Sequence, residues 1–517
     1  MDGRGSGYDD YVQRINGSAL PQWTSNGVPL TTNGTAVTSA YTVSDGAGGV
    51  IFTWSAWGSS GIDIYAQCID ASGTALWAAG GILINGQPYD QWVNGIISDG
   101  AGGAIIVWAD DQPYHDIISA QRVNASGTLL WPAASVLVSG DALGGYDLNS
   151  GSPLAVPDGA GGAIVVWTGN YLRDYGSYYQ TESDGYAQRI NASGAKQWGF
   201  SGQLIEALPG DQYLTDIASD DAGGAIVTWG QAGSDGNRDI YAQRVSPDGP
   251  SMWNPVAVST LTGNQYITGV LPDGAGGAFI TWDGKSRNWL QRVSAGGVLQ
   301  YVGNGIMTSK YESYGYNDSY DGNLVPDGAG GVIVAWADLR NIATDTDVYA
   351  QRFNGSGVPL WTSWGVPVSV EYSRQQFPHL VPDGSGGALI AWWDTRNGFG
   401  ADIFAQRISA DGVLTLPTTV GGTRTPSLVV SEAHPNPFAE QTSLEVVFPG
   451  ASPVTVEMFD VAGRRLRSTT FSHTGGGPVQ IVIDGRDQNA GLLPSGVYFC
   501  RIHAGAETVT KKMVITR

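Results

Sequence analysis

Asp158-Gly159-Ala160-Gly161-Gly162-Ala163-Ile164-Val165-Val166-Trp167 is a tight turn followed by an apolar strand closed by tryptophan. The pattern begins again at Asp45, Asp99, Asp220, Asp273, Asp327 and Asp383, and in each copy the ninth residue on is tryptophan: Trp54, Trp108, Trp229, Trp282, Trp336 and Trp392. Glycine supplies the positive φ that such a hairpin turn needs, and the aspartate accepts backbone N–H groups across it. Apolar residues on consecutive positions mark a strand covered on both faces.

A second signature follows each turn: Asp63-Ile64-Tyr65-Ala66-Gln67, Ala120-Gln121-Arg122, Asp239-Ile240-Tyr241-Ala242-Gln243-Arg244, Asp347-Val348-Tyr349-Ala350-Gln351-Arg352 and Asp402-Ile403-Phe404-Ala405-Gln406-Arg407. Its alternation predicts a strand with one face more solvated. A turn such as Asn124-Ala125-Ser126-Gly127 comes next, then another tryptophan (Trp77, Trp131, Trp198, Trp253, Trp361) and a short Gly-Val-Pro-Val type strand. Each repeat therefore holds about four short strands and no helix. Successive turns start 54, 59, 62, 53, 54 and 56 residues apart, a period that suits one four-stranded blade per repeat. A lone four-stranded sheet buries too little and must be covered by its neighbours. Each turn-strand tryptophan would contribute at most about 4 to 6 kcal/mol through burial.

The expected fold is all-β: residues 1–416 as a seven-bladed β-propeller, with eight blades as the alternative, residues 417–430 as a linker, and residues 431–517 as a small immunoglobulin-like β-sandwich. Tail strands are expected at Ser443 to Phe448, Val454 to Asp460, Val479 to Asp484, Gly496 to Ile502 and Thr508 to Thr516. The first repeat is incomplete, because Asp2 to Arg14 aligns with Asp394 to Arg407. Either an N-terminal strand closes the last blade or the chain lacks a front end. The second expectation is preferred, since the seventh repeat has its own Gln406-Arg407 strand.

A formal charge of −21 argues against a nucleic-acid partner. The two cysteines, Cys68 and Cys500, lie in different segments, and Cys68 stands where most repeats have arginine, so no disulfide framework is expected. There is no run of eighteen apolar residues to span a membrane, and no signal peptide is visible in the first thirty residues.

The tail carries Pro435-Asn436-Pro437-Phe438, Phe459-Asp460-Val461-Ala462-Gly463-Arg464, Asp484-Gly485-Arg486-Asp487, Ser495-Gly496-Val497-Tyr498-Phe499 and Lys512-Met513-Val514-Ile515. These fragments resemble the C-terminal sorting domain of the bacterial type IX secretion system, and the similar immunoglobulin-like domain of flagellar hook-capping proteins. The resemblance implies an exported protein, extracellular or on the outer cell surface, whose tail is read by the secretion machinery. The Asp484 to Asp487 stretch leans towards the hook-capping variant. The repeats resemble propeller passengers found beside such tails.

Chemistry is sparse. The functional alternative for the recurring turn is a calcium loop or the Asp box of sialidases; the structural reading is preferred, because metal loops carry several spaced carboxylates and these turns have one. Ser234 to Asp239 is the one denser cluster. The five histidines show no metal spacing, so no metal or cofactor is expected. Trp336-x-Asp338-x-Arg340-Asn341 recurs as Trp392-x-Asp394-x-Arg396-Asn397, and recurrence favours a strand-end ion pair over a glycosidase carboxylate pair. Unique material lies in two insertions, with Tyr171, Tyr175, Tyr178 and Tyr179 in one and Tyr311, Tyr314, Tyr316 and Tyr320 in the other. Rigid rings with polar tips suit sugar stacking or protein contact, so these tyrosines are the candidate binding residues for a glycan or surface protein; packing over blade edges is the plainer use. The leading expectation is an exported binding or adhesion module. Alternatives are an exported carbohydrate-active hydrolase or lyase, with Asp110, Asp338 and Asp394 near the channel, and a structural surface-layer component.

Overall fold

The computed structural model describes residues 11–139, 152–309, 323–419 and 429–517, short segments within those ranges excepted. Two compact units divide at Gly421/Gly422. Strands alone make up the regular structure of the described residues.

In the first unit seven four-stranded sheets follow one another, each an antiparallel meander of strands consecutive in sequence. The first repeat runs through Val37–Ser44, Val50–Trp57, Ile62–Ile69 and Ile82–Asn85; the seventh through Gln375–Pro382, Ala388–Asp394, Asp402–Ile408 and Thr418–Thr419. The Asp-Gly turn joins first strand to second at one end of every sheet. There Asp99 Oδ1 accepts the N–H groups of Ala101 and Gly103, each at 2.8 Å. The last glycine is obligatory for space, because a Cβ on Gly103 would lie 2.2 Å from the Val123 carbonyl oxygen.

The second strand is buried on both faces, as in Val332–Asp338, and its tryptophan is at most 3% exposed in all seven repeats. Successive sheets share their cores. Ile64, Ala66 and Trp77 of the first repeat pack with Ala104, Ile106 and Trp108 of the second, and the sixth and seventh repeats meet likewise through Val348, Ala350, Ile390 and Trp392. The third strand departs from its expected half-solvated character: Asp347–Phe353 is covered on both faces. Its polar glutamine is accommodated by hydrogen bonds, since Gln351 Nε2 donates to the Thr362 carbonyl at 2.8 Å and Oε1 accepts from Trp361 N at 3.0 Å.

The second set of tryptophans ties five of the repeats to the next, the fifth repeat carrying Tyr301 at this position. Trp131 Nε1 donates to the Ala192 carbonyl at 3.0 Å, and its ring lies against Gly194, whose φ of +84° and lack of a Cβ make the approach possible. Trp77, Trp198, Trp253 and Trp361 reach Ala125, Pro247, Ala295 and Ala410 in the same way. At the N-terminal side Tyr11–Val12 and Val28–Pro29 form a two-stranded sheet, and Trp23 Nε1 reaches the Ala71 carbonyl at 3.1 Å. Thr418–Thr419 already supplies the seventh sheet's fourth strand.

The second unit has a three-stranded sheet, Val429–Val430, Thr442–Val447 and Val479–Ile483, and a four-stranded one, Arg465–Phe471, Val454–Asp460, Gly496–Ala504 and Glu507–Ile515. Leu444, Val446, Ile481 and Ile483 from the first share one core with Val454, Met458, Cys500, Ile502 and Met513 from the second. Sequence reading missed Val429–Val430 and Arg465–Phe471; the latter is a sheet edge whose mixture of charge and threonine hides its alternation.

Candidate functional site

First strands run towards the Asp-Gly turn and second strands away from it, so the loops joining second to third strands, and each repeat to the next, gather at the opposite end. Of the two insertions, the one beginning at Thr168 lies there; residues 310–322 of the other lie outside the described residues. The first extends a hairpin, Ala163–Asp174 with Tyr179–Ile190, in which Tyr171 pairs with Glu182 and Tyr179 with Asp174. The side chains of Tyr171 and Tyr179 lie outside the described residues, as do Tyr175, Tyr178, Tyr311, Tyr314, Tyr316 and Tyr320. The described residues at this end include exposed aromatics that the sequence reading passed over: Trp57 closes a second strand, while Trp92 and Tyr213 open first strands. Arg238 spreads over the Tyr213 ring at 4.4 Å and the Tyr266 ring at 5.6 Å, bridging the fourth and fifth repeats. Their signal was position: Trp57 stands at a strand end without an aromatic counterpart, and Trp92, Tyr213 and Tyr266 recur after the glutamine near the start of a first strand.

The acids near this end are engaged. Asp338 accepts the Trp336 indole N–H at 2.9 Å and pairs with Arg340 at 2.6 Å, and the Arg340 guanidinium lies 3.4 Å from the centre of the Tyr349 ring. Asp394 repeats this arrangement with Trp392, Arg396 and Phe404. Burial alone would raise Asp394, but Arg396 and the Trp392 N–H together hold it below the usual carboxylate range. Asp110 has no arginine. It accepts from Trp108 Nε1 at 2.9 Å and Ser119 Oγ at 2.6 Å, and burial pushes it up. Both arginine pairs are thus strand-end ion pairs, as recurrence suggested.

At the turn end the conserved geometry from repeat to repeat is a second ion pair that sequence reading missed. Asp99 Oδ2 accepts Arg122 at 2.9 Å, and Arg122 Nη1 also donates to the Ala192 carbonyl of the next repeat at 3.0 Å. Asp158–Arg189, Asp220–Arg244, Asp273–Arg292 and Asp327–Arg352 repeat it. The turn aspartate therefore works with both oxygens, one for its own turn and one for the arginine that grips the neighbour. In the first repeat the arginine is replaced by Cys68, whose thiol is pushed up to about 11, first by burial and then by Asp45 and Asp70. Among the described residues, no three His, Cys, Asp or Glu side chains gather as a metal site.

A cavity of about 170 Å³ lies between the first strands of repeats one to four, lined by Tyr41, Asn94, Ile96, Leu154 and Asp216 among others. The register shift between Leu214 and Asp216 is a bulge that re-aims the side chain. Asp216 accepts Ile217 N and, in the next repeat, Val270 N, each at 2.8 Å. Burial outweighs these two bonds and raises it from 3.8 to about 6. Below about 3.8 folded and unfolded chains both hold this proton. Between 3.8 and 6 the unfolded chain releases it while the folded one keeps it, so stability falls as pH rises, and above 6 the loss is constant. Because Asp216 opens partly onto the cavity, the expected fall is about 1 to 2 kcal/mol. Urea melts of wild type and Asp216→Asn across pH 4 to 7 test this: the slope should flatten in the variant, and parallel curves would remove the assignment.

In the tail the resemblance-bearing residues meet around the last strand. Asn436 Nδ2 donates to the Lys512 carbonyl at 3.0 Å while its Oδ1 accepts Val514 N at 2.8 Å, and Phe438 N and O bond Val514 O and Thr516 N, each at 2.9 Å. Gly485 has φ +60°, and a Cβ there would strike the Phe438 ring at 3.2 Å. Tyr498 donates to the Pro494 carbonyl at 2.8 Å. The short motifs thus fix one terminal strand onto the sheet.

The family model described as the secretion system C-terminal sorting domain matches residues 432–516. No curated protein matches the chain. Among solved structures the chain is similar to puromycin hydrolase, at 10% identity and a TM-score of 0.45, covering 84% of this chain and 61% of that one. It is also similar to Penicillium chrysogenum alpha-L-arabinanase complexed with arabinobiose, at 12% identity and a TM-score of 0.35, covering 61% and 94%. A third likeness is to PorZ, an essential bacterial surface component of the type IX secretion system of Porphyromonas gingivalis, at 13% identity and a TM-score of 0.22, covering 94% and 82%. The chain spans about three fifths of the puromycin hydrolase chain. No helix among the described residues is long and apolar enough to cross a membrane. Residues 432–516 are a type IX secretion system C-terminal sorting domain, and the chain that carries them is exported to the cell surface or the extracellular space.

Proposed function

We propose that this exported chain is a seven-bladed β-propeller joined to an immunoglobulin-like sorting tail, with Thr418–Thr419 and Val429–Val430 of the expected 417–430 linker belonging to the sheets on either side of it, and that it acts as a binding or adhesion module. The observation that carries this reading is the contrast at the insertion end. Asp338 and Asp394 are consumed by Arg340 and Arg396, while Trp57, Tyr89, Trp92 and Tyr213 stay exposed. A glycosidase needs two carboxylates open to the scissile bond; stacking on a sugar needs exposed rings on a rigid support. A glycan or a surface protein is the ligand class that fits, and the secretion machinery is the partner of the tail.

A second reading, a carbohydrate-active hydrolase, draws on Asp216, a carboxyl raised to about 6 beside a cavity and thus near the range of a general acid. Its two backbone hydrogen bonds weigh against that use.

A glycan array separates the two. Replacing Tyr171, Tyr175, Tyr178, Tyr179, Tyr311, Tyr314, Tyr316 and Tyr320 by alanine is expected to lower glycan binding at least tenfold, since each stacked ring is worth about 0.5 to 1.5 kcal/mol, with the melting midpoint little changed. Unchanged binding rejects the tyrosine surface. Release of reducing sugar that disappears in Asp216→Asn favours the hydrolase.

A further inference from the structure

The forward face of each sheet, the one turned to the following repeat, is covered in repeats one to six and partly exposed in the seventh, where Leu389 and Ala405 are buried but larger side chains on the same face are not. On the third strand Ile64, Ile118, Ile240, Leu290 and Val348 are 0% exposed. The seventh repeat's equivalent, Ile403, is 45% exposed, and its cross-strand partner Trp393 is 50% exposed. Val381, on the first strand of the same sheet, is 55% exposed and pairs with Leu389 on this face. Trp392, one residue away, faces back into the sixth repeat and is buried. An apolar sheet face of this kind costs free energy in water, and the repeat pattern itself states what normally covers it.

The N-terminal pair supplies the second half of the observation. Tyr11 pairs with Pro29 and Val12 with Val28, the register in which Tyr349 pairs with Pro367 and Ala350 with Val366, third strand to fourth, in the sixth repeat. Arg14 and Trp23 donate to the Ala71 carbonyl at 3.0 and 3.1 Å, the grip that Arg122 and Trp131 apply to Ala192. Val12, Trp23 and Val28 pack on Phe52, Trp54 and Ala56 of the first repeat. The pair is thus the third-and-fourth-strand half of a repeat placed before the first, and among the described residues its sheet is two-stranded where the seven others of this unit are four-stranded.

We propose that the forward face of the seventh repeat is a docking surface for a β-hairpin of the repeat's own first-and-second-strand type. Its chemistry is that of the seven hairpins in the chain: an Asp-x-x-Gly-Gly turn, with glycine second in six of them, then a strand apolar on successive positions and ended by tryptophan. Seated there, one face of the hairpin covers Val381, Trp393 and Ile403, as Ala104, Ile106 and Trp108 cover Ile64 and Ala66. Its second strand extends the sheet of Tyr11–Val12 and Val28–Pro29 to four strands. A second copy of this chain is the poorer occupant, because each hairpin it owns already lies within a four-stranded sheet.

The test uses the full chain and a synthetic peptide with the sequence of residues 323–338, NLVPDGAGGVIVAWAD, alongside a scrambled peptide. The hairpin peptide is expected to bind one to one in calorimetry and to raise the melting midpoint, with at least a tenfold weaker association for Ile403→Asp and for Val381→Lys. Both positions are exposed, so the two variants check one another for folding. Absence of binding to wild type, equal binding of the scrambled peptide, or binding unchanged in both variants overturns the proposal. So does a dimer in sedimentation that dissociates in Ile403→Asp, since a second copy would then hold the face.

Discussion

A chain ending at residue 431 is expected to fold its repeats and to remain inside an exporting host, with the amount outside the cell falling at least tenfold. The expectation follows from two facts. The repeats and the tail are separate compact units divided at Gly421/Gly422, and the sorting-domain match is confined to residues 432–516. Removing the tail takes away nearly all of its own core, from Ala433 and Phe438 through Ile515, and none of the residues that join one repeat to the next. Blotting of cell and medium fractions, with a melting curve of the truncated chain purified from the cytoplasm, checks both halves. Normal delivery of the truncated chain would refute the role given to the tail. A softer version is Phe438→Ala, which empties the site against Gly485 while leaving the backbone bonds to Val514 and Thr516 in place; about 3 to 5 kcal/mol of tail stability is expected to be lost.

Replacing Trp336 by alanine is expected to cost about 3 to 5 kcal/mol, the range for emptying a fully buried aromatic site, read as a lower denaturation midpoint. Trp336 is fully buried and its N–H serves Asp338, so phenylalanine at the same place is also expected to cost about 1.5 to 3 kcal/mol by leaving a buried carboxylate short of a donor. The fifth repeat offers the control. Two residues after Trp282 stands Gly284 in place of aspartate, and Trp282 Nε1 has no acceptor. Trp282→Phe should therefore cost clearly less than Trp336→Phe. Equal costs would mean that the indole hydrogen bond contributes nothing.

The parts of the fold that were legible in sequence are those whose cause is local. The turn from Asp158 to Gly162 needs its aspartate and glycines in adjacent positions, and the apolar run to Trp167 is contiguous, so seven copies could be read directly. The Asp99–Arg122 pair was not read, because its partners are 23 residues apart and Arg122 seemed to belong only to its own strand. A signal existed: the turn aspartate and the strand arginine recur together, and the copy with Cys68 loses one of them. The third strand misled for a related reason. Gln351 looks solvent-facing by polarity, yet its amide is satisfied inside by Trp361 and Thr362. Asp216 was invisible because a one-residue bulge decides where its carboxylate points, and a bulge leaves no periodicity to detect. The insertion tyrosines stood out by being unique, whereas Trp57 and Trp92 were lost among repeated aromatics.

The physical claim beneath all of this is that seven sheets, each too small to be stable alone, are held as one body by indoles buried between them and by arginines that cross from repeat to repeat. Native-state amide hydrogen exchange tests it directly. Second-strand amides from every repeat, Ile105 to Trp108 and Ile333 to Trp336 among them, should exchange together as the slowest class, and Arg189→Ala should speed that class throughout the first unit. Independent exchange rates in separate repeats, or a change limited to the third and fourth, would contradict it.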